Sequence, residues 1–369
     1  LRDRSHTVEI FSQGEVVERA LKFYPGFAEP QPCLPDVPVR YSSVLPVRFI
    51  NGFWQGCALR SLFRRRHRQA PFDAVLIYNL KVPQLVCAEY AARLGLPVVC
   101  EYEDDAFMDV DGRPDPALRP RYVRRAKKVL QTAVGGFACS PHLLAQLPAK
   151  APRFLMRGVI GPDILRAAGN GKQNWVLFSG THYWTKGIAS LIEAWPQAQL
   201  PNWELHITGE GQETAALKKL AAGNPRIIFH GFVSAADLAQ LMAQAKICIN
   251  PHALSQCPGN VFAFKIVEYL AAGAHVISTP MGEIEKEIAR GITFMPDNAP
   301  ATIAATLRRV VRESLWLNTA ANAVRGLYGP DIMRDQLDHL LRAASAPPRR
   351  HRGLTAAFDT LQLFAQRLL

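Results

Sequence analysis

The sequence predicts an α/β protein built from two doubly wound units, and three observations support this prediction. The length of 369 residues favours two domains of ordinary size. A composition of 49% hydrophobic and 20% charged residues is that of a globular protein with sizeable cores. Short apolar segments rich in β-branched residues alternate with longer amphipathic ones, which is the pattern of parallel strands joined by helices.

The first unit is expected over residues 1–163. A short strand at Val8–Phe11 is not preceded by the Gly-rich turn that normally follows the first strand of a nucleotide-binding domain, so we expect this unit to lack its first strand. The proline-rich residues 25–47 predict irregular structure. Strands are then predicted at 74–78, 97–101 and 136–140, and helices at 49–68, 83–94 and 117–134.

Residues 164–173 contain glycines and Asn170 and are predicted to link the two units. The second unit is expected over 174–330. Residues 331–369 are expected to form helices that pack back on the protein or lie at a membrane surface. The strands predicted in the second unit are 175–180, 203–209, 226–232, 247–251, 275–279 and 292–296.

The net charge of +12 is concentrated in three patches, Arg60–Arg68, Arg119–Lys128 and Arg349–Arg352. Nucleic acid, an anionic membrane surface and a phosphorylated substrate would all be attracted to such patches. The patches lack the interleaved aromatic residues of single-strand binders, and no named nucleic-acid motif is present. We therefore do not expect nucleic acid as a partner.

The seven cysteines are scattered, and none forms a Cys-x-x-Cys pair. Four of them lie in apolar segments and are expected in the cores. No run of eighteen apolar residues predicts a membrane-spanning helix, and the polar start, LRDRSHTVEIF, does not look like a secretory signal. These features favour a cytoplasmic protein. The four cysteines are Cys87, Cys100, Cys139 and Cys248.

Residues 260–280 combine an apolar helix with two charges, Lys265 and Glu268, which lie three residues apart on one helical face. Burying a charge without a partner is costly. A ligand that carries phosphates and hydroxyls would explain both charges, and so would an internal ion pair.

Four blocks over residues 175–290 resemble the GT-B glycosyltransferases, and in particular the retaining family 4 enzymes, also called group 1. The resemblance implies GT-B architecture, with two Rossmann-like parallel-sheet domains facing a central cleft. It also implies a nucleoside-diphosphate sugar as the donor, with neither a cofactor nor a metal ion. The blocks are 178–195, with its Gly and Lys-Gly, the Gly turn at 205–211, 229–251, and 260–280 with Glu268.

The resemblance also assigns roles at the donor site. Glu268 matches the glutamate that binds the ribose, and Lys186 and Lys265 match lysines near the diphosphate. Thr181 stands where the family has an arginine, and Asn260 stands where a second glutamate is usual. The full set of expected donor-binding residues is Gly180, Lys186, Gly209, Val233, Gly259, Asn260, Lys265 and Glu268.

Four acids, Glu101, Glu103, Asp104 and Asp105, cluster after a strand of the first unit. Acids so close together repel one another when ionised, so some of their pKa values should be raised. A family histidine near the reacting sugar falls at about Glu103, and Glu103 and Asp104 are the candidate catalytic residues. A metal site and a solvated loop are the alternatives, and the resemblance disfavours the metal.

The sequence thus predicts a retaining glycosyltransferase of polysaccharide or glycolipid assembly, which transfers a sugar to an acceptor hydroxyl. The basic helices favour a lipid-linked or phosphorylated acceptor and peripheral contact with the inner face of a membrane. A non-catalytic GT-B subunit and a GT-B sugar-nucleotide epimerase are the alternatives. A nicotinamide-dependent oxidoreductase is disfavoured because no Gly-x-Gly-x-x-Gly turn opens a helix.

Overall fold

A computed structural model describes most of the chain. The described residues are 6–13, 22–31, 34–45, 47, 51–109, 113–167, 171–253, 263–280, 282, 284–317 and 319–345. Within them lie two parallel sheets, of four and six strands, and a separate three-stranded sheet. No described helix has the length and apolar character needed to cross a membrane.

The first unit consists of the three-stranded sheet followed by a βα repeat. The elements are β1 (Ile10–Ser12), β2 (Phe27–Gln31), β3 (Leu34–Tyr41), α1 (Asn51–Gln69), β4 (Val75–Tyr78), α2 (Val82–Arg93), β5 (Val98–Tyr102), α3 (Pro120–Thr132), β6 (Gly135–Ala138), α4 (Pro141–Ala145) and β7 (Arg153–Leu155).

The second unit follows with six strands, most of them joined by helices. The elements are α5 (Pro162–Ala167), β8 (Gln173–Ser179), α6 (Ile188–Ala198), β9 (Glu204–Thr208), α7 (Thr214–Leu220), β10 (Ile227–Gly231), α8 (Ala235–Gln244), β11 (Ala245–Asn250), α9 (Lys265–Ala271), β12 (His275–Ser278), α10 (Lys286–Ala289), β13 (Ile292–Phe294), α11 (Pro300–Arg312), α12 (Ala321–Tyr328) and α13 (Pro330–Ser345).

The four-stranded sheet has the order β4-β5-β6-β7 and is covered on both faces. Successive side chains of a strand point to opposite faces, and β5 shows this clearly. Cys100 and Tyr102 lie in the core under α1, α2 and α3. Val99, on the opposite face, packs with Phe137 and with Leu340 of α13. The last described helix of the chain therefore packs on the first sheet.

The six-stranded sheet has the order β10-β9-β8-β11-β12-β13 and is parallel throughout. The chain builds outward from β8 to one side through β9 and β10, and then returns to β11 and builds to the other side. In open α/β sheets of this kind, ligands bind in the crevice beyond the carboxyl ends of the strands at this reversal. The ends of β8 and β11 therefore define the place to search for a site.

Two local expectations differ from the structure. The prediction of irregular structure over 25–47 is wrong in part, since β2 and β3 pair there as antiparallel strands. Pro30 is tolerated because β2 is an edge strand of this sheet. Its partner in the register is Pro38 of β3. The expected linker at 164–173 overlaps α5, whose buried Ile164 and Ala167 belong to the core of the second unit. The crossing between the sheets begins earlier, directly after β7.

Arg157 joins the two units at this crossing. Its guanidinium donates to the carbonyl oxygen of Cys139 in the first unit, at 3.2 Å, and to a carboxylate oxygen of Glu285 in the second, at 3.0 Å. The hydroxyl of Tyr328 donates to the same carboxylate at 2.7 Å. At Gly158 an added Cβ would clash with the ring of Phe264, the residue before α9. The crossing is therefore in direct contact with the start of α9.

Candidate functional site

The loop after β8 is shaped by close backbone contacts that need glycine. Gly180 has φ 142° and Gly209 has φ 99°, and a Cβ on Gly209 would clash with the carbonyl oxygen of Gly180. Gly187, with φ 70°, begins α6, and a Cβ there would clash with the carbonyl oxygen of Pro251. All three conformations are ones that glycine adopts without steric cost. The loops after β8, β9 and β11 are thereby drawn together at one edge of the sheet.

Helix α9 lies against the end of β8 and fixes Ser179. The hydroxyl of Tyr269, which is fully buried, accepts from the backbone N–H of Ser179 at 2.8 Å. One turn earlier, Nζ of Lys265 donates to the carbonyl oxygen of Ser179 at 3.2 Å. Residues four apart share one helical face, so both side chains reach the same strand end. Lys265 is thus held at the carboxyl edge of β8, next to Gly180.

Lys186 reaches the same region from a short 3-10 helix, Trp184–Lys186. Its Nζ lies 3.4 Å from Nε2 of His252, and Nδ1 of His252 lies 2.8 Å from the carbonyl oxygen of Ala253. A carbonyl only accepts, so Nδ1 carries the proton and Nε2 is the acceptor for Lys186. His252 is therefore neutral in this arrangement and holds the ammonium without cancelling its charge.

The charges in this cluster are poorly solvated. Burial, reinforced by the charge of Lys186 and opposed by that of Glu268, lowers the pKa of Lys265 to about 7. Burial also lowers the pKa values of Lys186 and His252, and it raises the pKa of Glu268. None of the ion pairs within the described residues includes either lysine. The cluster therefore has more positive than negative charge and favours an anion.

The remaining expected donor residues follow the same edge of the sheet. The N–H of Gly209 donates to the carbonyl oxygen of Gly231 at 2.8 Å, which fixes the start of the loop that contains Val233. This loop ends at Ser234, whose hydroxyl caps α8. Gly259 and Asn260 lie outside the described residues. Gly180, Lys186, Gly209, Val233, Lys265 and Glu268 thus occupy the carboxyl side of neighbouring strands.

The acids of the first unit are organised differently, around Asn79. The Asn79 side chain donates to Asp104 at 2.9 Å and accepts from the backbone N–H groups of Glu103 and Asp104 at 2.9 and 3.0 Å. The hydroxyl of Tyr78 donates to Glu103 at 2.8 Å. Both expected catalytic carboxylates are therefore held in place by neutral donors.

Glu101 and Asp105 complete the acidic cluster. Burial, reinforced by the charge of Glu103, raises the pKa of Glu101 to about 7. The nearly inaccessible carboxylate of Asp105 contacts His142 at 3.0 Å and the backbone N–H of Phe107 at 3.0 Å, which gives it a structural role. Among the described residues, no group of three or more His, Cys, Asp or Glu side chains is placed to hold a metal ion.

Sequence reasoning did not identify two parts of these sites. His252 follows Pro251 with no motif around it, and only the tertiary contact reveals that it meets Lys186. Tyr78 and Asn79 end β4, and their part in fixing the acids depends on the neighbouring β5. Tyr78 and Asn79 stand at the end of a strand, and Tyr78 pairs with Glu101 on the next strand. This position was the one sequence feature that could have pointed to their role. Cys87, Cys100, Cys139 and Cys248 are buried as predicted.

A family model described as "Glycosyl transferases group 1" matches residues 173–313. This confirms the resemblance to the group 1 glycosyl transferases over the residues that include Lys186 and Lys265. The same region contains all six strands of the second sheet, together with α9. A search of curated protein sequences returned no match.

Solved structures match over nearly the whole chain. The UDP-forming trehalose-phosphate synthase of Burkholderia xenovorans superposes with a TM-score of 0.65, at 11% identity over 92% of this chain and 94% of that one. Sucrose-phosphate synthase of Thermosynechococcus elongatus gives 0.63, at 15% identity over 90% and 88%. The Anabaena protein HepE in complex with UDP gives 0.61, at 17% identity over 83% and 86%. These likenesses confirm the predicted GT-B fold.

Proposed function

We propose that this protein transfers a sugar. The proposal starts from the match of residues 173–313 to group 1 glycosyl transferases and from the GT-B fold of the chain. The donor is a nucleoside-diphosphate sugar, and the acceptor is a hydroxyl group. Transfer proceeds with retention of anomeric configuration. The donor binds at the second sheet and the acceptor binds at the first.

The observation that supports donor binding most directly is the way in which Lys186 and Lys265 are held. Their partners are a neutral imidazole and a backbone carbonyl, so neither lysine is paired with a carboxylate. A diphosphate brings the negative charge that this cluster lacks. Its charge increases when the bond to the sugar breaks, so fixed cations stabilise the transition state more than the ground state.

The rest of the donor is assigned along the same edge of the sheet. Glu268 lies one position before Tyr269 on α9, and its carboxylate can accept from two ribose hydroxyls. The loop at Val233 contacts the base through backbone groups. At Gly180 an added Cβ would lie 3.6 Å from Nζ of Lys265, so the absence of a side chain there leaves space for the nucleotide beside that lysine.

On the acceptor side, Glu101 is assigned to proton exchange with the attacking hydroxyl. A pKa of about 7 suits a group that takes and returns a proton near neutral pH. Glu103 and Asp104 remain candidates for the same role or for binding acceptor hydroxyls. Their hydrogen bonds with Tyr78 and Asn79 favour the binding role, because those bonds hold the two carboxylates in fixed positions.

Helix α3 is the part of the first unit that best fits a phosphorylated or membrane-bound acceptor. It exposes four cationic side chains that point away from the core: Arg121, Arg124, Lys127 and Lys128. Flotation with anionic vesicles tests this contact. Salt-sensitive binding that is weakened in a variant with these four residues changed to Gln supports it, and the absence of binding at low salt contradicts it.

A panel of nucleotide sugars tests the proposed reaction, with donor hydrolysis and transfer to added acceptors as readouts. Glu268→Gln keeps the size of the side chain but loses the charge, so turnover should fall by about tenfold or more while the fold is retained. The second candidate function, a non-catalytic subunit, is motivated by Thr181 at the position of the family arginine. Tight nucleotide binding without turnover of any donor would favour that subunit.

A further inference from the structure

Lys265 is a cation whose direct partners are all neutral. Its Nζ donates to the carbonyl oxygen of Ser179 at 3.2 Å and lies 4.3 Å from the centroid of the Phe178 ring. Gly180, the next residue, adds no charge. Within the described part of the chain, Lys265 takes part in no ion pair. The ring face and the carbonyl attract an ammonium, but they compensate its lost hydration less well than a carboxylate partner would.

The titratable groups around Lys265 come from three elements. The 3-10 helix supplies Lys186, the segment after β11 supplies His252, and α9 itself supplies Glu268. Lys186 disfavours a second positive charge, and Glu268 offsets this only in part. The end of β8 contributes no titratable side chain. With its pKa lowered to about 7, Lys265 is mostly a neutral amine at mildly alkaline pH.

We propose that binding of a nucleoside diphosphate at this site takes up one proton from solvent onto Nζ of Lys265. The lone pair of the amine accepts the proton, an ammonium forms, and no bond of the nucleotide is broken. This rests on the proposed function, which places the phosphates between Lys186 and Lys265. The negative charge of the diphosphate supplies the counterion that the free site lacks.

Proton uptake on binding has a defined consequence for affinity. Below the pKa of Lys265 in the free protein, the amine is already protonated and binding needs no proton. Above it, each unit of pH should weaken nucleotide binding by about tenfold. Release of the nucleoside diphosphate product returns the proton. Alkaline pH should therefore speed release while it weakens binding.

Isothermal titration of the protein with UDP, and then with GDP and ADP, tests the proposal. The titration is run at about pH 8, where the terminal phosphate of the nucleotide is already ionised and contributes little. It is repeated in buffers that differ in ionisation enthalpy. The slope of observed heat against buffer enthalpy gives the number of protons taken up, and it should be close to one.

Lys265→Arg tests whether Lys265 is the residue that takes up the proton, because arginine stays charged at any accessible pH. This variant should bind UDP with little proton uptake and with an affinity that changes little between about pH 7 and pH 9. Lys219→Arg, at an exposed lysine of α7, is the matched control and should keep the slope of the wild type. A zero slope in the wild type despite UDP binding, or an unchanged slope in Lys265→Arg, would overturn the proposal. Failure of all three nucleotides to bind would instead overturn the proposed function and this inference with it.

Discussion

The carboxyl edges of the two parallel sheets hold charges of opposite sign in similar ways. At the second sheet, Lys186 and Lys265 are held by an imidazole and a backbone carbonyl. At the first sheet, Glu103 and Asp104 are held by a phenol and an amide. Neutral partners position a charged group without cancelling its charge. An ion pair would position the group and also cancel its charge. The edge of the second sheet is therefore suited to an anionic ligand, and the edge of the first sheet is suited to groups that donate hydrogen bonds or protons.

Removing the cations should have the largest effect on the second edge. Lys265→Met should weaken UDP binding by about 100-fold, near the upper limit for one hydrogen bond to a charged group. Lys219→Met, on exposed α7, is the control and should leave binding unchanged. Titration calorimetry measures both. Equal affinities in the two variants would mean that the phosphates bind elsewhere.

The backbone of the second edge is tested at Gly187. An alanine there needs a left-handed conformation and also clashes with the carbonyl of Pro251, so Gly187→Ala should lower the free energy of unfolding by about 2–3 kcal/mol. Gly95 has a similar φ of 75° but open space around it. Gly95→Ala should therefore cost only about 1 kcal/mol. Denaturant titration separates the two, and similar losses would show that the clash is relieved.

The first edge is tested by the pH dependence of stability in Glu101→Gln. The folded-state pKa of Glu101 is raised from 4.5 to about 7, so its ionised form destabilises the protein above that pH. The penalty is absent below pH 4.5, grows between the two values and is complete above about 7. The variant should therefore gain about 1–3 kcal/mol relative to wild type at pH 8, and nothing at pH 4.

Chemical denaturation of both proteins across this pH range measures the difference. Glu103→Gln is the matched control. The Glu103 carboxylate accepts a hydrogen bond from Tyr78, so its replacement by a neutral amide should not stabilise the protein. A constant difference between Glu101→Gln and wild type at every pH would remove the assignment of Glu101 to proton exchange.

The smallest expected effect concerns His252, the neutral partner on the second edge. His252→Leu removes the acceptor for Lys186 and should weaken UDP binding by about fivefold, the equivalent of about 1 kcal/mol. His252→Gln keeps an acceptor at a similar distance and should bind within about twofold of wild type. Equal losses in the two variants would assign His252 a packing role.

The fold was largely predictable because parallel strands are buried on both faces and appear as continuous apolar segments. Residues 74–78, 175–180 and 247–251 are clear examples, and all three are strands in the structure. The strands β2 and β3 were missed because prolines usually mark irregular structure, and pairing at an edge depends on neighbours that are distant in sequence.

The candidate site was predictable only where a local motif surrounds a residue. Lys186 belongs to the block with a Gly and a Lys-Gly pair, and Glu268 lies on an apolar helix, so each stood out. His252 and Asn79 have no such local context, and their roles depend on contacts with Lys186 and Asp104 that form in the folded chain. Sequence pattern identified the charges, and tertiary structure was needed to identify the groups that position them.

The placement of α13 matters for anyone who wishes to produce the two units as separate proteins. The helix follows the second unit along the chain, yet Leu340 is buried against Val99 and Phe137 of the first sheet. A first unit that ends near residue 160 would expose this apolar face to water and should aggregate. A soluble first unit would need residues 330–345 supplied as a fused segment or as a peptide. A second unit cut after Tyr328 would lose Met333 of this helix from its own core.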